Sequence, residues 1–258
     1  MGKNPLKLLR YALAGWLPGG RRQCVVCGHR VWRFMPYRAG SRSGPPLMRA
    51  LHMVGSNPDQ FECPRCGAHD RERHLLMYMR ADRTLPQLRG KSILHFAPEK
   101  RLSRFISAAA PSRYVRADLF PNSSDIERVD MLEMPFDDES FDCVIANHVL
   151  EHVSNVSRAL SEIRRVLKPG GLAILQTPYS EKLHRTWEDA GIDTPLARLQ
   201  AYGQEDHVRL FGCDIFEQIT TAGFENEVRR HSELLADVDA AMTGVNRDEP
   251  FFLFRKAS

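Results

Sequence analysis

Four cysteines near the N-terminus are spaced as two pairs that could hold one metal ion. The pairs are Cys24-Val-Val-Cys27, followed by Gly28, and Cys63-Pro-Arg-Cys66, followed by Gly67. Two intervening residues let both thiolates of a pair point at one ion, and the glycine lets the backbone turn beneath the sulfurs. Two such pairs form a tetrahedral all-sulfur shell, which suits structural zinc and leaves no open position for chemistry. The alternative is a set of free, buried cysteines.

A second group of reactive side chains lies in the polar segment 203–209, GQEDHVR. His207 could take a proton as a general base, with Asp206 or Glu188 orienting its ring. Arg209 could hold an anionic group. The alternatives are a hydrogen-bonded cluster that braces this segment, or a His207 that only caps the helix predicted to follow it.

The stretch 92–100, SILHFAPEK, has the pattern of a buried strand that turns directly into a helix. A nucleotide-type cofactor often binds at such a junction, which normally carries glycines because phosphate or ribose approaches the backbone closely. Here Ala97 and Pro98 occupy the turn instead.

Strand-like and helical patterns alternate from Ser92 onward, which predicts an α/β domain with a parallel sheet and helices on both faces. The predicted strands are SILHF, RYVRADL, a short stretch near ERVDML, FDCVIAN, GLAILQT, NEVRRH and FFLFRK. The clearest helix, SNVSRALSEIRRVLK, has one apolar face, and Ser154 or Asn155 can cap its start. The Lys-Pro-Gly-Gly sequence after it ends the helix and returns the chain to the next strand.

Four zones follow from these patterns. We predict a basic amphipathic segment at 1–20, a zinc-ribbon module at 21–70, a connecting helix at 71–90, and the α/β domain at 91–258. The breaker-rich sequence AGSRSGPP accounts for the long separation of the two cysteine pairs as an insertion. A polar and aromatic insertion near 178–210 interrupts the α/β alternation.

The composition is that of an ordinary globular protein. Of the 258 residues, 43 % are hydrophobic and 26 % charged, and the net charge of +4 permits an anionic partner without requiring one. The six cysteines do not form a disulfide framework, which favours a reducing compartment, the cytoplasm. No apolar stretch is long enough to span a bilayer.

The N-terminal segment combines leucines at helical spacing with basic residues between them. A helix over residues 3–17 with this pattern can lie on an anionic membrane surface and make peripheral membrane contact. The alternative is a helix packed on its own protein. Arg10 interrupts any signal-peptide apolar region, so we predict no export signal.

The central run from Asp130 to Pro178 closely resembles the class I S-adenosylmethionine-dependent methyltransferases. The matching elements are the acid before Leu-x-x-Pro-Phe, the Phe-Asp-x-Val strand, the Leu-Glu-His stretch and the helix ending in Leu-Lys-Pro-Gly-Gly. The resemblance covers roughly residues 90–256. It implies a Rossmann-like sheet and S-adenosylmethionine as the methyl donor.

The resemblance also assigns cofactor-binding positions. The first strand and its loop, Phe96, Ala97, Pro98 and Glu99, would hold the methionine end of the cofactor. Asp118 would bind the ribose hydroxyls, since a carboxylate can accept two hydroxyl protons at once. Asp130 and Met131 would read the adenine edge, and the loop with Asn147 and His148 would close over the cofactor.

The chain departs from the family pattern at its opening motif, where HFAPE replaces Asp-x-Gly-x-Gly. S-adenosylmethionine carries no phosphate, so close backbone approach matters less than in a dinucleotide site. Glu99 could pair with the cofactor's ammonium group in place of the missing acid. The alternative is a fold whose cofactor pocket has decayed.

Three functions remain open from the sequence. The first is methyl transfer to a small-molecule or glycan-like acceptor, with His207, Asp206, Arg209 and Glu188 on the acceptor side. The second is methylation of RNA held by the zinc ribbon, whose arginines include Arg65, Arg71 and Arg73. The third is a non-catalytic interaction protein with a vestigial fold. His148, Glu151 and His152 also raise a divalent ion as a minor alternative.

Overall fold

The computed structural model describes residues 5–257, so the first four residues of the predicted N-terminal segment, Lys3 among them, lie outside it. The helices are α1 (Pro5–Trp16), α2 (Pro46–Ala50), α3 (Asp70–Ala81), α4 (Thr84–Gln87), α5 (Lys100–Ala108), α6 (Val156–Val166), α7 (Pro195–Tyr202), α8 (Ile215–Thr221), α9 (His231–Leu234) and α10 (Ala240–Thr243). The strands are β1 (Arg22–Gln23), β2 (Arg30–Val31), β3 (Met53–Val54), β4 (Ser92–Phe96), β5 (Arg113–Asp118), β6 (Glu127–Arg128), β7 (Phe141–Ala146), β8 (Leu167–Ile174), β9 (Tyr179–Ser180), β10 (Phe224–Asn226) and β11 (Leu253–Lys256).

A seven-stranded sheet in the order β10-β11-β8-β7-β4-β5-β6 forms the centre of the α/β domain. Strands β4 to β8 pair in parallel, and β11 runs antiparallel between β8 and β10. Phe96 at the end of β4 pairs with both Ala117 and Ala146. The residues that follow these three strands therefore meet at one edge of the sheet, and the predicted α/β fold class is confirmed.

Alternate residues of the strands face two separate cores, as expected for a sheet covered on both sides. Leu94 and Val144 belong to a cluster with the buried residues of α6 and α8. Ile93 and Cys143 belong to a second cluster with α3 and α5. Because α3 supplies five buried apolar residues to this second core, it is part of the domain's own packing.

Helix α6 forms where its apolar face predicted it. The side chain of Asn155 accepts a hydrogen bond from the N–H of Arg158, so Asn155 rather than Ser154 provides the cap. The helix ends at Val166 and strand β8 begins immediately at Leu167, so the Lys-Pro-Gly-Gly sequence predicted to turn the chain lies within the strand instead.

Two further predicted elements differ from the structure. The helix predicted over 71–90 is two helices, α3 and α4, because Arg83 between them adopts a left-handed backbone with φ 63°. The strand predicted at NEVRRH is wrong beyond Asn226. There the Asn226 side chain accepts from the N–H of Val228 in a local turn that interrupts the regular ladder. Pairing continues only irregularly, through the N–H of Glu227 to the carbonyl of Leu253 and an isolated bridge between Arg229 and Phe251.

The cysteine module is tied into the domain through the fully buried side chain of Arg73 in α3. Its guanidinium donates to the carbonyl groups of Gln60, Phe61 and Ala68 in the module, and to those of Thr243 and Gly244 at the end of α10. The segment between the cysteine pairs also reaches across the domain, where β3 pairs with β9. The module and the sheet domain therefore pack as one unit.

Helix α1 lies against the module through its Tyr11 and Ala14 side. The Tyr11 hydroxyl donates to the Glu62 carboxylate at 2.8 Å, and the N–H of Trp32 donates to the carbonyl of Ala14. Leu8, Leu9, Leu13, Trp16 and Leu17 on the remainder are about half exposed or more. Within residues 5–257, no helix has the length and apolar character needed to cross a membrane.

Candidate functional site

The turn after β4 adopts a glycine-like backbone without a glycine. Ala97 has φ 45°, in the left-handed region that non-glycine residues rarely enter. Its N–H donates to the carbonyl of Ala117 at the end of β5, at 2.8 Å. The exposed alanine therefore makes a turn of the kind that glycines make in phosphate-binding junctions.

Glu99 is the centre of a buried polar cluster behind this turn. Its Oε1 accepts a hydrogen bond from Nδ2 of Asn147 at 2.5 Å, and Nε2 of His95 lies 3.3 Å from its Oε2. Nε of Arg71 lies 3.9 Å from Oε1. Burial acts to raise the pKa of Glu99, but His95 and Arg71 outweigh it and hold the pKa below its usual value. Glu99 is therefore a buried carboxylate among basic groups.

Within residues 5–257, buried polar atoms of this cluster lack a hydrogen-bond partner. They are Nε of Arg71 and Oδ1 of Asn147, whereas Nε2 of His95 and Oε2 of Glu99 have only each other, at 3.3 Å. Buried polar atoms without partners are rare, because each costs about 1–3 kcal/mol. The cluster offers both a hydrogen-bond donor and hydrogen-bond acceptors, which fits a zwitterion. A ligand carboxylate can accept from Arg71, and a ligand ammonium can donate to Glu99 and Asn147. The methionine end of S-adenosylmethionine has this chemistry.

The other predicted cofactor residues lie along the same edge of the sheet. Asp118 is the last residue of β5, and its Oδ1 accepts from the N–H of Phe120 at 2.8 Å. Asp130 is exposed and accepts from the N–H of Leu132, whereas the Met131 side chain is buried in the core. Its backbone is thus the part of Met131 that can face a ligand.

The loop after Asp118 exposes two apolar side chains that sequence analysis missed. Leu119 is 41 % exposed and Phe120 77 % exposed. Apolar side chains beside a ribose-binding acid could cover a purine ring. Their position directly after the acid was the available signal.

His148, predicted to close over the cofactor, turns its side chain into a buried chain of polar groups. Its Nδ1 lies 3.5 Å from Glu151 and its Nε2 3.2 Å from Glu249. Glu249 also contacts His74 at 3.1 Å, and His74 contacts His231 at 3.0 Å. Burial acts to lower the pKa of His148, but the two carboxylates raise it to about 9. His148 therefore acts here as a buried cation between two acids.

The acceptor-side residues meet different partners from those predicted. Arg209 is buried and donates to the Glu188 carboxylate at 2.9 Å, and to the carbonyl groups of Leu150, Val153 and Ser154. With its guanidinium engaged by protein, Arg209 fits the bracing alternative better than the binding of an anion.

Neither predicted acid orients His207. Glu188 pairs with Arg209, and Asp206 lies 3.4 Å from Nδ1 of His152. The carboxylate that faces His207 is Glu151, 4.0 Å from its Nε2. His207 also makes no cap on α8, because its Nδ1 binds the carbonyl of Tyr202.

The four cysteines converge as their spacing predicted. Their sulfurs all lie within 4.8 Å of one another, and Sγ of Cys24 and Cys66 are 3.8 Å apart. Gly28 and Gly67 have φ of 73° and 75°, and their N–H groups donate to the carbonyls of Cys24 and Cys63. These matched turns and sulfur separations fit a tetrahedral zinc ion with bonds of about 2.3 Å.

A cleft of about 1110 Å³ lies at the same edge of the sheet, toward β8 and β11. Its lining mixes both charges with aromatic groups and includes Tyr179, Glu181, Phe216, Arg230, His231 and Arg247. Because His231 contacts His74, the buried polar chain from His148 reaches the wall of this cleft.

Comparison with known proteins gives consistent matches. A family model described as a methyltransferase domain matches residues 99–175. A probable S-adenosylmethionine-dependent methyltransferase of Mycolicibacterium smegmatis is 35 % identical over 124 residues, which are 46 % of this chain and 44 % of that protein. The chain thus spans less than half of that relative's length.

A second relative is matched over most of its length. The phthiotriol/phenolphthiotriol dimycocerosates methyltransferase of Mycobacterium leprae is 30 % identical over 199 residues, which are 69 % of this chain and 70 % of that protein. Among solved structures, an S-adenosylmethionine-dependent methyltransferase from Mesorhizobium loti aligns with a TM-score of 0.48 and 19 % identity. That alignment covers 69 % of this chain and 96 % of the other.

Proposed function

Because the chain belongs to the S-adenosylmethionine-dependent methyltransferase family, we propose that it transfers a methyl group to a small-molecule or glycan-like acceptor. The observation that carries the proposal is the buried cluster of unpartnered polar atoms around Glu99, at the carboxyl ends of β4 and β7. A pocket that had decayed would have no reason to keep such costly groups. Arg71, Glu99 and Asn147 would hold the amino-acid end of the cofactor, which supplies an activated methyl group when bound.

The remaining cofactor contacts follow from the same edge of the sheet. The Oδ2 of Asp118 would accept from a ribose hydroxyl, since Oδ1 is engaged by the N–H of Phe120. Leu119 and Phe120 would cover the adenine, and Asp130 with the Met131 backbone would meet its polar edge.

The cleft beside β8 supports a polar acceptor. A volume of about 1110 Å³ is slightly above that of typical small-molecule sites, and the charged lining suits hydroxyl or carboxylate groups better than a lipid tail. The insertion predicted at 178–210 contributes Tyr179 and Glu181 to this lining.

The arginines of the cysteine module give the RNA alternative little support. Arg73 is buried, the Arg65 guanidinium lies 4.0 Å from the centroid of the Trp16 ring, and Arg71 faces Glu99. An RNA-binding surface needs exposed cations along a backbone path. These three arginines do not form such an RNA-binding surface.

The test of the function is transfer of a labelled methyl group from S-adenosylmethionine into fractions of an extract of the producing organism. We expect label in the low-molecular-weight fraction, reduced at least tenfold by Glu99→Gln and also reduced by Arg247→Ala in the cleft. The control Arg104→Ala alters an exposed arginine outside the cleft and should leave transfer intact. Label in ribonuclease-sensitive material would favour the RNA alternative instead.

Structural zinc is part of the proposal. Cys24, Cys27, Cys63 and Cys66 would hold it, and the ion would fix the module against α3. A closed four-thiolate shell supplies folding energy and no chemistry.

Peripheral membrane contact is the proposed role of α1. Its outward leucines and Trp16 form an exposed apolar stripe beside Lys7 and Arg10, the composition of an interfacial helix. Flotation with vesicles of phosphatidylcholine and phosphatidylglycerol should carry the wild type, whereas Leu9→Glu with Leu13→Glu should stay unbound. Leu196→Glu, at an exposed leucine of α7, is the matched control, and equal flotation of all three proteins would contradict the role.

A further inference from the structure

Three side chains outside the cysteine module converge at the start of the loop that follows β7. The carboxylate of Glu151 and one ring nitrogen each of His152 and His207 all lie within 4.8 Å of one another. Nε2 of His152 is 3.9 Å from Oε1 of Glu151, and Nε2 of His207 is 4.0 Å from the same oxygen. Glu151 and His152 follow the predicted cofactor loop, whereas His207 comes from the acceptor-side insertion.

Both histidines turn Nε2 toward Glu151, because Nδ1 of each is already hydrogen-bonded to a backbone carbonyl. Nδ1 of His207 lies 3.1 Å from the carbonyl oxygen of Tyr202, and Nδ1 of His152 lies 3.3 Å from that of Asp206. A carbonyl oxygen can only accept, so each Nδ1 carries the hydrogen and each Nε2 keeps its lone pair. Histidines that bind metals are typically held in this way.

The carboxylate is oriented from its other side. Oε2 of Glu151 accepts from the hydroxyl of Thr177 at 3.0 Å, and Nδ1 of His148 lies 3.5 Å from Oε1. Carboxylates that bind metals are commonly fixed by such additional hydrogen bonds. Glu151 is 1 % exposed, and the His148 cation that faces it is shared with the second buried carboxylate, Glu249.

One nitrogen of the group has no hydrogen-bond partner in the part of the chain that the structure describes. Nε2 of His207 is buried and makes no hydrogen bond, and the whole residue is only 4 % exposed. His152 is open, with 32 % of its side chain exposed, so an ion could enter from that side. A buried imidazole lone pair aimed at a buried carboxylate is what an absent cation would leave behind.

We propose that Glu151, His152 and His207 bind a divalent first-row transition metal ion through one carboxylate oxygen and two Nε2 atoms. Two imidazoles and one carboxylate are a ligand set that holds zinc, manganese or iron and leaves positions open for water or another oxygen donor. The site differs from the cysteine cluster, whose four soft ligands leave none.

The ion would join two parts of the chain that contribute different functions. Glu151 and His152 lie a few residues after Asn147, which contacts Glu99, and His207 belongs to the insertion. Bound metal would therefore hold the insertion against the cofactor loop.

Metal content after equilibrium dialysis against micromolar Zn²⁺ tests the site directly. We expect two zinc ions per chain in the wild type, and one in each of Glu151→Gln, His207→Ala and His207→Gln. His184→Ala changes an exposed histidine of the insertion and should retain two. Exchange of amide hydrogens over residues 203–209 should slow with the second ion in the wild type and in His184→Ala, but not in the Glu151 and His207 variants.

Cobalt substitution separates the two sites. Co²⁺ bound by the four cysteines gives an intense thiolate charge-transfer band, which all these variants should keep. The weaker absorption of Co²⁺ bound by Glu151, His152 and His207 should be absent from the Glu151 and His207 variants. One zinc ion in the wild type with the thiolate band present would overturn the proposal. Two zinc ions in folded His207→Gln would overturn it as well. Both readouts are independent of S-adenosylmethionine, so failure of methyl transfer would not affect them.

Discussion

Asp70 shows how a single residue at the junction of module and domain can set a pH dependence. It is 1 % exposed, and its Oδ2 accepts from the N–H of Asn57 while Oδ1 has no partner. Burial is the main cause that raises its pKa from 3.8 to about 7. The folded state therefore holds this proton more tightly than the unfolded state, and stability falls as pH rises between these two values.

Asp70→Asn should remove the free-energy cost of burying an ionised carboxylate. Its side-chain oxygen can still accept the hydrogen bond from the N–H of Asn57. We expect the variant to have a higher Tm than the wild type at pH 8, by about 2–4 °C for each kcal/mol of burial cost removed, with a smaller gain at pH 5. Thermal unfolding at both pH values checks this, with Asp193→Asn, an exposed carboxylate of the insertion, as control. A gain that is equal at pH 5 and pH 8 would show that burial of the charge is not the cause.

Residues of the site were predictable where local spacing dictated them. The convergence of the cysteine pairs follows from their short motifs, since a knuckle is a local feature, whereas Asp118 was assigned through the family resemblance. The role of Arg71 beside Glu99 was not predictable, because the two residues meet only through the packing of α3 on the sheet. The pairing of Arg209 with Glu188 and of His207 with Glu151 depends likewise on how the insertion folds back.

At the scale of elements, periodicity predicted the sheet, but contacts between distant segments decided the rest. Strands β4, β5, β7 and β8 and helix α6 lie where alternation and amphipathic spacing put them. The pairing of β3 with β9 joins residues more than 120 positions apart and has no local signature. This strap, residues 53–54 with the following Gly55, docks the inter-cysteine segment beside the insertion.

Gly55 permits this docking because it has no side chain. Its φ is 154°, and a Cβ added there would lie 3.0 Å from Cβ of Pro178. Gly55→Ala should therefore loosen the strap and accelerate amide exchange at Val54 and Ser180. Gly44→Ala is the control in the same segment, because a Cβ there meets only ordinary contacts. Unchanged exchange in Gly55→Ala would mean that the strap tolerates the added methyl group.

At the scale of the whole molecule, the module and the α/β domain are held together by residues that contact both. Arg73 bonds the backbone of both, and α3 packs into the core beneath the sheet. Loss of a bound structural metal should therefore destabilise the entire chain.

Cys24→Ser should lower the Tm of the whole protein in a single calorimetric transition, together with loss of zinc. Cys213→Ser, at an exposed cysteine outside the cluster, should unfold like the wild type. Two separate transitions in Cys24→Ser, with the larger at the wild-type temperature, would show that the module unfolds independently.

Titration of S-adenosylmethionine into the zinc-loaded protein by calorimetry tests most directly whether a junction without glycines is a cofactor site. We predict one binding site in the wild type, at least tenfold weaker binding by Glu99→Gln and by Asp118→Asn, and unchanged binding by Asp137→Asn at an exposed carboxylate. A folded wild-type protein that binds no S-adenosylmethionine would contradict the account and favour a non-catalytic role for the chain. Wild-type affinity in Glu99→Gln would contradict the assignment of the buried cluster.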